Sequence, residues 1–274
     1  MKKLSKYGLF GFLLISLSLL PMAASAISVG TELVMLADVS GSVDSTDFSI
    51  QSAGYAAAFR DPEIIQAIEN VGGIAATLVY WSAGQAIGVG WTHVTDSTSS
   101  NAFADAIASA ARPDGIGTET GMAKAMNYGT NLFLANSEFE SDRWVMDVSG
   151  DGSESVDCNF NNPICSAVQN ARDDALDAGV NTINALWIQD RTFFGDFPND
   201  TDSINALEYG TNNVIVGSDY FQELVGDFDE FALGVRGKIL GDIKPPSVPE
   251  AATILLLGFG LTGIAGLRCR KFKK

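Results

Sequence analysis

Histidine is nearly absent from this 274-residue chain, His93 being the only one. A Ser-His-Asp hydrolase would need it as the base, yet it sits in Trp91-Thr92-His93-Val94, which reads as an edge strand. No Gly-x-Ser-x-Gly elbow occurs either. Cysteine is scarce: Cys158, Cys165 and Cys269 beside a single histidine make no zinc pattern. A Gly-x-x-x-x-Gly-Lys-Ser/Thr run is missing, which excludes a P-loop. Basic residues are also few. Of 17 Lys and Arg, eight lie in the first 26 and last 24 residues, leaving nine against 33 Asp and Glu in residues 27–250, a formal net charge of −24. Such a body has no basic footprint for nucleic acid, which is excluded as a partner.

The two ends differ in kind from the body. Lys2, Lys3 and Lys6 precede an apolar run from Leu9 to Leu20, then Pro21 and Ala23-Ala24-Ser25-Ala26. Positive, apolar, then small residues predict a secretory signal peptide over 1–26, cut after Ala26. At the other end, residues 244–250 form a linker that closes in Val248-Pro249-Glu250. Residues 251–267 carry no charge, and 268–274 hold five basic residues out of seven. Seventeen uncharged residues can just cross a bilayer as a transmembrane segment, the basic tail staying cytoplasmic. The pattern resembles the PEP-CTERM sorting signal of Gram-negative bacteria, with Ala251 where a second proline is usual. That resemblance implies processing by an exosortase and membrane attachment at least in transit. It also implies an end point either anchored through the C-terminus or released to the cell surface or extracellular matrix, in species that make exopolysaccharide and biofilm.

Between these ends lies one domain, expected over 27–243, in which short apolar runs alternate with amphipathic stretches. Strands are expected at 33–37, 74–81, 143–148, 182–188 and 213–216, with 86–94 as a hairpin partner at an edge. Helices are expected at 47–60, 62–69, 100–111, 120–134, 163–178, 203–209 and 220–240, with Gly179 a C-cap signal for 163–178. Strands separated by helices imply an α/β fold: a doubly wound, mostly parallel sheet with helices on both faces. Ligands of such sheets bind at the carboxyl ends of the strands. Cys158 and Cys165, seven apart in a loop of an exported protein, point to a small disulfide-closed loop, two free thiols being the alternative.

At those strand ends oxygen ligands gather. The first strand runs into Asp38-Val39-Ser40-Gly41-Ser42, which sets a carboxylate and two hydroxyls at alternating positions on a glycine-loosened turn. This is a hard-oxygen set, suited to Mg²⁺, with Mn²⁺ or Ca²⁺ as alternatives. The loop Gly115-Ile116-Gly117-Thr118-Glu119-Thr120-Gly121 offers Thr118, with Thr120 two residues away, and Ser149-Gly150-Asp151-Gly152 offers Asp151, with Asp147 as an alternative inside the strand. Asp-x-Ser-x-Ser, a Gly-Thr loop and a strand-Asp-Gly loop resemble the metal-ion-dependent adhesion site, or MIDAS, of von Willebrand factor A domains, over residues 31–241. The segments 148–152, 179–186 and 219–221 resemble more particularly domain of unknown function 1194, a bacterial branch. The resemblance implies Ser40 and Ser42 as direct ligands, Asp38 as a direct or water-mediated one, and Thr118 and Asp151 completing the site.

It also implies a binding function instead of an enzymatic one: an open position on the divalent ion, filled by a partner protein's carboxylate, or a site for matrix polysaccharide. Two other classes compete: a metal-dependent hydrolase and an inert structural matrix protein. Trp81, Trp91, Trp144 and Trp187 all fall on expected strands and read as sheet packing. Asp196, Asp200 and Asp202, in a loop with three phenylalanines, read as solvated. Asp44 and Asp47 suit the start of a helix, where acids complement the dipole.

Overall fold

The wholly apolar runs become the middle of a sheet. In the computed structural model, which describes residues 25–159, 162–189, 205–217 and 219–243, the chain runs β1 (Ile27–Ser28), β2 (Thr31–Asp38), α1 (Ser45–Phe59), α2 (Pro62–Asn70), β3 (Ile74–Trp81), β4 (Gln85–Val94), α3 (Ser97–Ser109), α4 (Met122–Ala135), β5 (Phe139–Glu140) and β6 (Trp144–Gly150). It continues with α5 (Ser166–Ala178), β7 (Thr182–Ile188), α6 (Ala206–Asn213), β8 (Val216–Gly217), β9 (Gln222–Val225), a 3₁₀ turn at Phe228–Glu230 and α7 (Phe231–Ile243). The expected linker, transmembrane segment and basic tail, most of the signal peptide, and the aspartates of the 196–202 loop lie outside the described residues. No described helix is long and apolar enough to cross a membrane.

The main sheet has the order β4-β3-β2-β6-β7, with β9 parallel to β7 and the short β8 antiparallel to it. Every other pairing in it is parallel except β3 with β4. Alternation along β2 divides the core. Leu33, Met35 and Ala37 pack with Tyr55, Phe59, Phe103 and Phe231 from α1, α3 and α7, while Val34 and Leu36 pack with Met126, Phe133 and Val168 from α4 and α5. All of these side chains are buried, and each apolar one contributes roughly 1.5–3 kcal/mol on leaving water. Gly54 lets α7 approach α1, since a Cβ there would lie 2.8 Å from the Phe231 ring.

Local chemistry sets the helix ends. Asp44 caps α1 in a capping box with Asp47, and Asp96 does the same for α3 with Ser99, so both helices begin earlier than their apolar periodicity suggests. Gly179 ends α5 at φ 111°, the left-handed conformation expected of a C′ glycine. Two expectations fail. The strand expected at 213–216 is the last residue of α6 followed by a turn, and only Val216–Gly217 pairs, with Thr182 and Ile183. The helix expected over 220–240 is a strand followed by a helix. Gln222–Val225 pairs with Ala185–Ile188, Asp227 caps the 3₁₀ turn, and α7 starts only at Phe231.

Strand order places the switch point of the sheet between β2 and β6. From β2 the chain moves outward to β3 and β4, then returns across β2 to build β6 and β7. The carboxyl ends of β2 and β6 therefore diverge into loops beside one another. At the opposite edge, Arg143, at the start of β6, donates to the carbonyl of Asp242 at 2.9 Å, so the last turn of α7 lies by the strand beginnings.

Candidate metal centre

Asp38 ends β2 and Asp151 follows β6, and the pairing of Ala37 with Ser149 brings the two side by side. Both are fully buried. The Asp38 carboxylate accepts the Ser40 amide at 2.7 Å through Oδ1, while Oδ2 is buried without a hydrogen-bond partner. The Ser42 hydroxyl donates to Asp151 Oδ1 at 2.7 Å and lies 3.1 Å from the Ser40 hydroxyl. Gly150 leaves room for this arrangement, because a Cβ there would stand 3.3 Å from Asp38 Oδ2 and 3.4 Å from the Trp81 ring.

The second loop leans on the first. The Gly41 amide donates to the Thr118 carbonyl at 2.7 Å, and a Cβ on Gly41 would meet the Thr118 side chain at 3.3 Å. Thr118 is exposed beside Ser40 and Ser42, in a cavity of about 310 Å³ that Thr120 also lines. Thr120 is tied instead to the third loop: its amide donates to the Ser155 hydroxyl at 2.9 Å, and its carbonyl accepts the Ser155 amide at 2.8 Å. Asp38, Ser40, Ser42, Thr118 and Asp151 thus come together at one end of the sheet. Asp147 does not join them. It lies mid-strand, four residues before Asp151, fully buried under α7, where its carboxylate is already matched by Lys238.

Three residues that support these loops carry no motif signature. Arg112 donates to the carbonyls of Val39 at 2.9 Å and Ser40 at 3.1 Å, with its guanidinium 6.0 Å from the centre of the Phe48 ring. Glu154 is buried: one oxygen accepts the Ala123 amide at the start of α4 at 2.8 Å, and the other accepts Val156 at 2.8 Å and Asp157 at 3.2 Å. Its own amide donates to the Tyr209 hydroxyl at 3.1 Å. Glu154 is thereby the tie between the third loop and the helix that follows the second. The only hint of it in the sequence is a carboxylate three residues past Asp151, and Arg112 and Tyr209 give none. The Cys158–Cys165 bond, with Cα atoms 5.7 Å apart, joins the same loop to the start of α5.

Electrostatics favour a cation here. Burial, and after it the neighbouring charge of Asp151, hold the Asp38 carboxyl well above the usual range, against hydrogen bonds from Ser40 and the Asp151 backbone. Among the described residues, no positive group acts on Asp38. Two adjacent buried carboxylates raise each other's cost of ionisation, and a divalent ion between them reverses the sign of that interaction. The surrounding hydroxyls suit a hard cation, so the residues present fit a metal site of this type. No cluster of three or more His, Cys, Asp or Glu occurs among the described residues, so the hydroxyls have to complete the set. His93 pairs with Ala75 at the start of β3, at the opposite end of the sheet, its ring 5.7 Å from that of Phe139. It cannot act as a base for any group in this site.

The fold is that of von Willebrand factor A-type domains. The chain belongs to the family described as protein of unknown function DUF1194, which matches residues 28–247. The PEP-CTERM protein-sorting motif matches residues 247–271, which implies export with membrane-associated sorting. Among solved structures, the chain is similar to proximal thread matrix protein 1 from the mussel byssus, at 12% identity and TM-score 0.54 over 79% of this chain and 49% of that one. It is similar to a von Willebrand factor type A protein from Catenulispora acidiphila, at 13% identity and TM-score 0.52 over 80% and 43%. A third is the pilus adhesin SpaC from Lactobacillus rhamnosus GG, at 14% identity and TM-score 0.53 over 81% and 30%. The chain spans less than half the length of each of these, and at such identities the likeness shows the fold. One structure of the mussel protein is described as having a zinc-occupied MIDAS motif. No curated relative matches the chain by sequence.

Proposed function

We propose that this protein is an exported, divalent-cation-dependent binding domain that recognises an extracellular or surface partner through an open position on the ion. The observation that carries the proposal is the pair of adjacent buried carboxylates, Asp38 and Asp151, with serine hydroxyls against them. Asp38, Ser40, Ser42, Thr118 and Asp151 would hold the ion, Mg²⁺ first, with Mn²⁺ or Ca²⁺ as alternatives. The partner is a protein carboxylate or a matrix polysaccharide. Similarity in fold to an adhesin and to a matrix protein supports binding over catalysis. The alternative is a metal-dependent hydrolase, in which the ion itself would activate water, since the lone histidine lies at the far end of the sheet.

In this proposal residues 1–26 direct export and are removed, 27–243 are the binding domain, and 251–267 hold the membrane until an exosortase cuts near Val248-Pro249-Glu250. The test is capture of extracellular material by the purified protein with Mg²⁺ and with EDTA. Capture should be lost with EDTA and in Asp38→Ala. Equal capture under both conditions would sink the proposal.

A further inference from the structure

The polar cluster under α7 holds two groups that can react with each other. Lys238 Nζ lies against Asp147 Oδ1, and both side chains are fully shut off from solvent. The nitrogen also donates to the Ser149 hydroxyl at 3.1 Å and to the Val148 carbonyl at 3.3 Å. Ser149 is fixed in turn by the Tyr55 hydroxyl at 2.7 Å, and the Tyr55 ring packs edge-on against Phe231 with centroids 5.4 Å apart. An ammonium has three N–H bonds, and these three acceptors take all of them. When the proton facing Asp147 moves to the carboxylate, the other two N–H bonds keep Val148 and Ser149 as acceptors. The nitrogen lone pair is then left pointing at the Asp147 carboxyl.

A third acid stands beside the pair. Asp242 lies one turn from Lys238 on α7, and its Oδ1 accepts Asn184 at 2.7 Å. Asn184 is the neighbour of Asp147 across β6 and β7, which puts both side chains on the face that α7 covers. Among the described residues, Asp147 Oδ2 and Asp242 Oδ2 are buried with no hydrogen-bond partner.

Burial favours the neutral forms here. It pulls Lys238 down to about 7 against the attraction of Asp242, and pushes Asp242 up to about 6 against Lys238, Asn184 and Arg143. A neutral amine held against a carboxyl, away from water, has the two halves of an amide in contact. The fold has already met the entropic barrier that keeps such groups apart in solution. Condensation also removes two buried charges, each costly to hold away from water.

We propose that Lys238 and Asp147 condense into an intramolecular amide that ties α7 covalently to β6, across a separation of 91 residues. The Nζ lone pair forms a bond to Asp147 Cγ, and one carboxyl oxygen leaves as water. That water takes the proton first passed from ammonium to carboxylate and a second one released from nitrogen as the bond forms. Asp242 relays the second proton from the nitrogen to the leaving hydroxyl. No electron acceptor, electron donor or co-reactant enters. Until the bond forms the two groups act as an ion pair, and chain of full mass shows an ion pair's contribution to stability. None of these groups is a proposed metal ligand, so the bond can hold or fail apart from the function proposed above.

The test is the mass of the purified protein, denatured and with its disulfide reduced. The wild type should convert to a form lighter by one water molecule than its sequence requires. Trypsin should then release peptide 144–172 joined to the peptide that begins at Gly237, with Lys238 uncut. Lys238→Arg and Asp147→Ala should keep their full mass. Asp242→Asn should slow the loss of water at least about 100-fold, and Asp242→Glu should restore part of it. Wild type that keeps its full mass after prolonged incubation overturns the bond. So does a lost water found on an unbranched peptide 144–172, as a succinimide at Asp151-Gly152 would leave it. Water lost at an unchanged rate in Asp242→Asn overturns the relay. The wild-type result stands whether or not the variants fold.

Discussion

Asp147 and Asp151 lie four residues apart on β6 and the turn after it, both fully buried, and the protein treats them in opposite ways. Asp147 is met by Lys238 of α7. The same ammonium donates to the Val148 carbonyl at 3.3 Å and the Ser149 hydroxyl at 3.1 Å, and Ser149 shares a 2.7 Å hydrogen bond with Tyr55 of α1. Asp242, one turn along α7, accepts Asn184 of β7 at 2.7 Å. Asp151, by contrast, stands beside a second carboxylate, and the charge it exerts on Asp38 is repulsive. A buried oxygen without a hydrogen bond does not distinguish the two regions, since Asp147 and Asp38 each have one. Charge balance does. One cluster is neutralised from within the chain and ties α1, α7 and two strands together. The other sets two carboxylates against each other, the repulsion that the proposed cation would relieve. A buried carboxylate reads as structural or functional only once its cation is known.

The largest test of that contrast removes the internal cation. Lys238→Met leaves Asp147 buried and unpaired and should cost about 3–5 kcal/mol in chemical denaturation, with much of it recovered by adding Asp147→Leu. Asp38→Asn should behave oppositely. Without metal it should unfold no more easily than the wild type, because it removes a repulsion. Its affinity for Mn²⁺ should drop at least about 100-fold, and the wild type alone should gain about 2.7 kcal/mol at 100-fold excess over Kd. A large loss of metal-free stability in Asp38→Asn would break the comparison.

The pH dependence of stability sharpens it further. Burial pushes Asp242 up from 3.8 to about 6, with Lys238, Asn184 and Arg143 opposing, and pulls Lys238 down from 10.5 to about 7, with Asp242 opposing. Asp242 holds more protons folded than unfolded between these values, so stability falls as pH rises from about 4 to 6. Lys238 holds fewer folded, so stability recovers as pH rises from about 7 to 10.5. Relative to Asp242→Asn with Lys238→Met, the wild type should show a minimum between about pH 6 and 7, on the order of 2 kcal/mol deep, in denaturation curves measured across that range. A flat difference curve would mean that the cluster does not titrate. The smallest expected effect is Glu154→Gln. It keeps the shape but turns an amide NH₂ toward a backbone N–H that the carboxylate accepts, and should cost about 1 kcal/mol in denaturation while lowering Mn²⁺ affinity about tenfold in calorimetry.

Much of this was readable before the fold was known, for definite reasons. β2 and β3 are mostly apolar because both faces of the sheet are covered, and Gly179 marks the end of α5 because its backbone takes the left-handed region there. The oxygen residues at 38, 40, 42 and 151 stand where strands end, so topology alone gathers them. The failures are equally physical. Leu224, Phe228, Phe231, Val235 and Ile239 are spaced like one helical stripe, which hides that Gly226 and Asp227 break the chain between β9 and α7. Val214-Ile215-Val216 looks like a strand by its branched side chains, yet two of the three follow directly on α6. Lys238 continues the buried stripe of Phe231 and Val235, a signal of burial that could have been noticed, but its partner Asp147 is 91 residues away and invisible to local pattern.

The last turn of α7 sits beside Arg143, where the strands begin, whereas Asp38 and Asp151 sit where they end. An eight-residue strand of about 26 Å separates the two. Under the proposed function, a ligand gripped at one end and a C-terminal segment held in transit at the other would make the domain a link in series, with tension running along β2, β6 and α7. Under such load α7 is the first element to be pulled away. It is also the element bolted inward by Lys238 to Asp147 and outward by Arg236 to Asp61 at 2.7 Å and Glu63 at 2.8 Å. Read as a mechanical part, the helix nearest the tether is the one fastened on both sides.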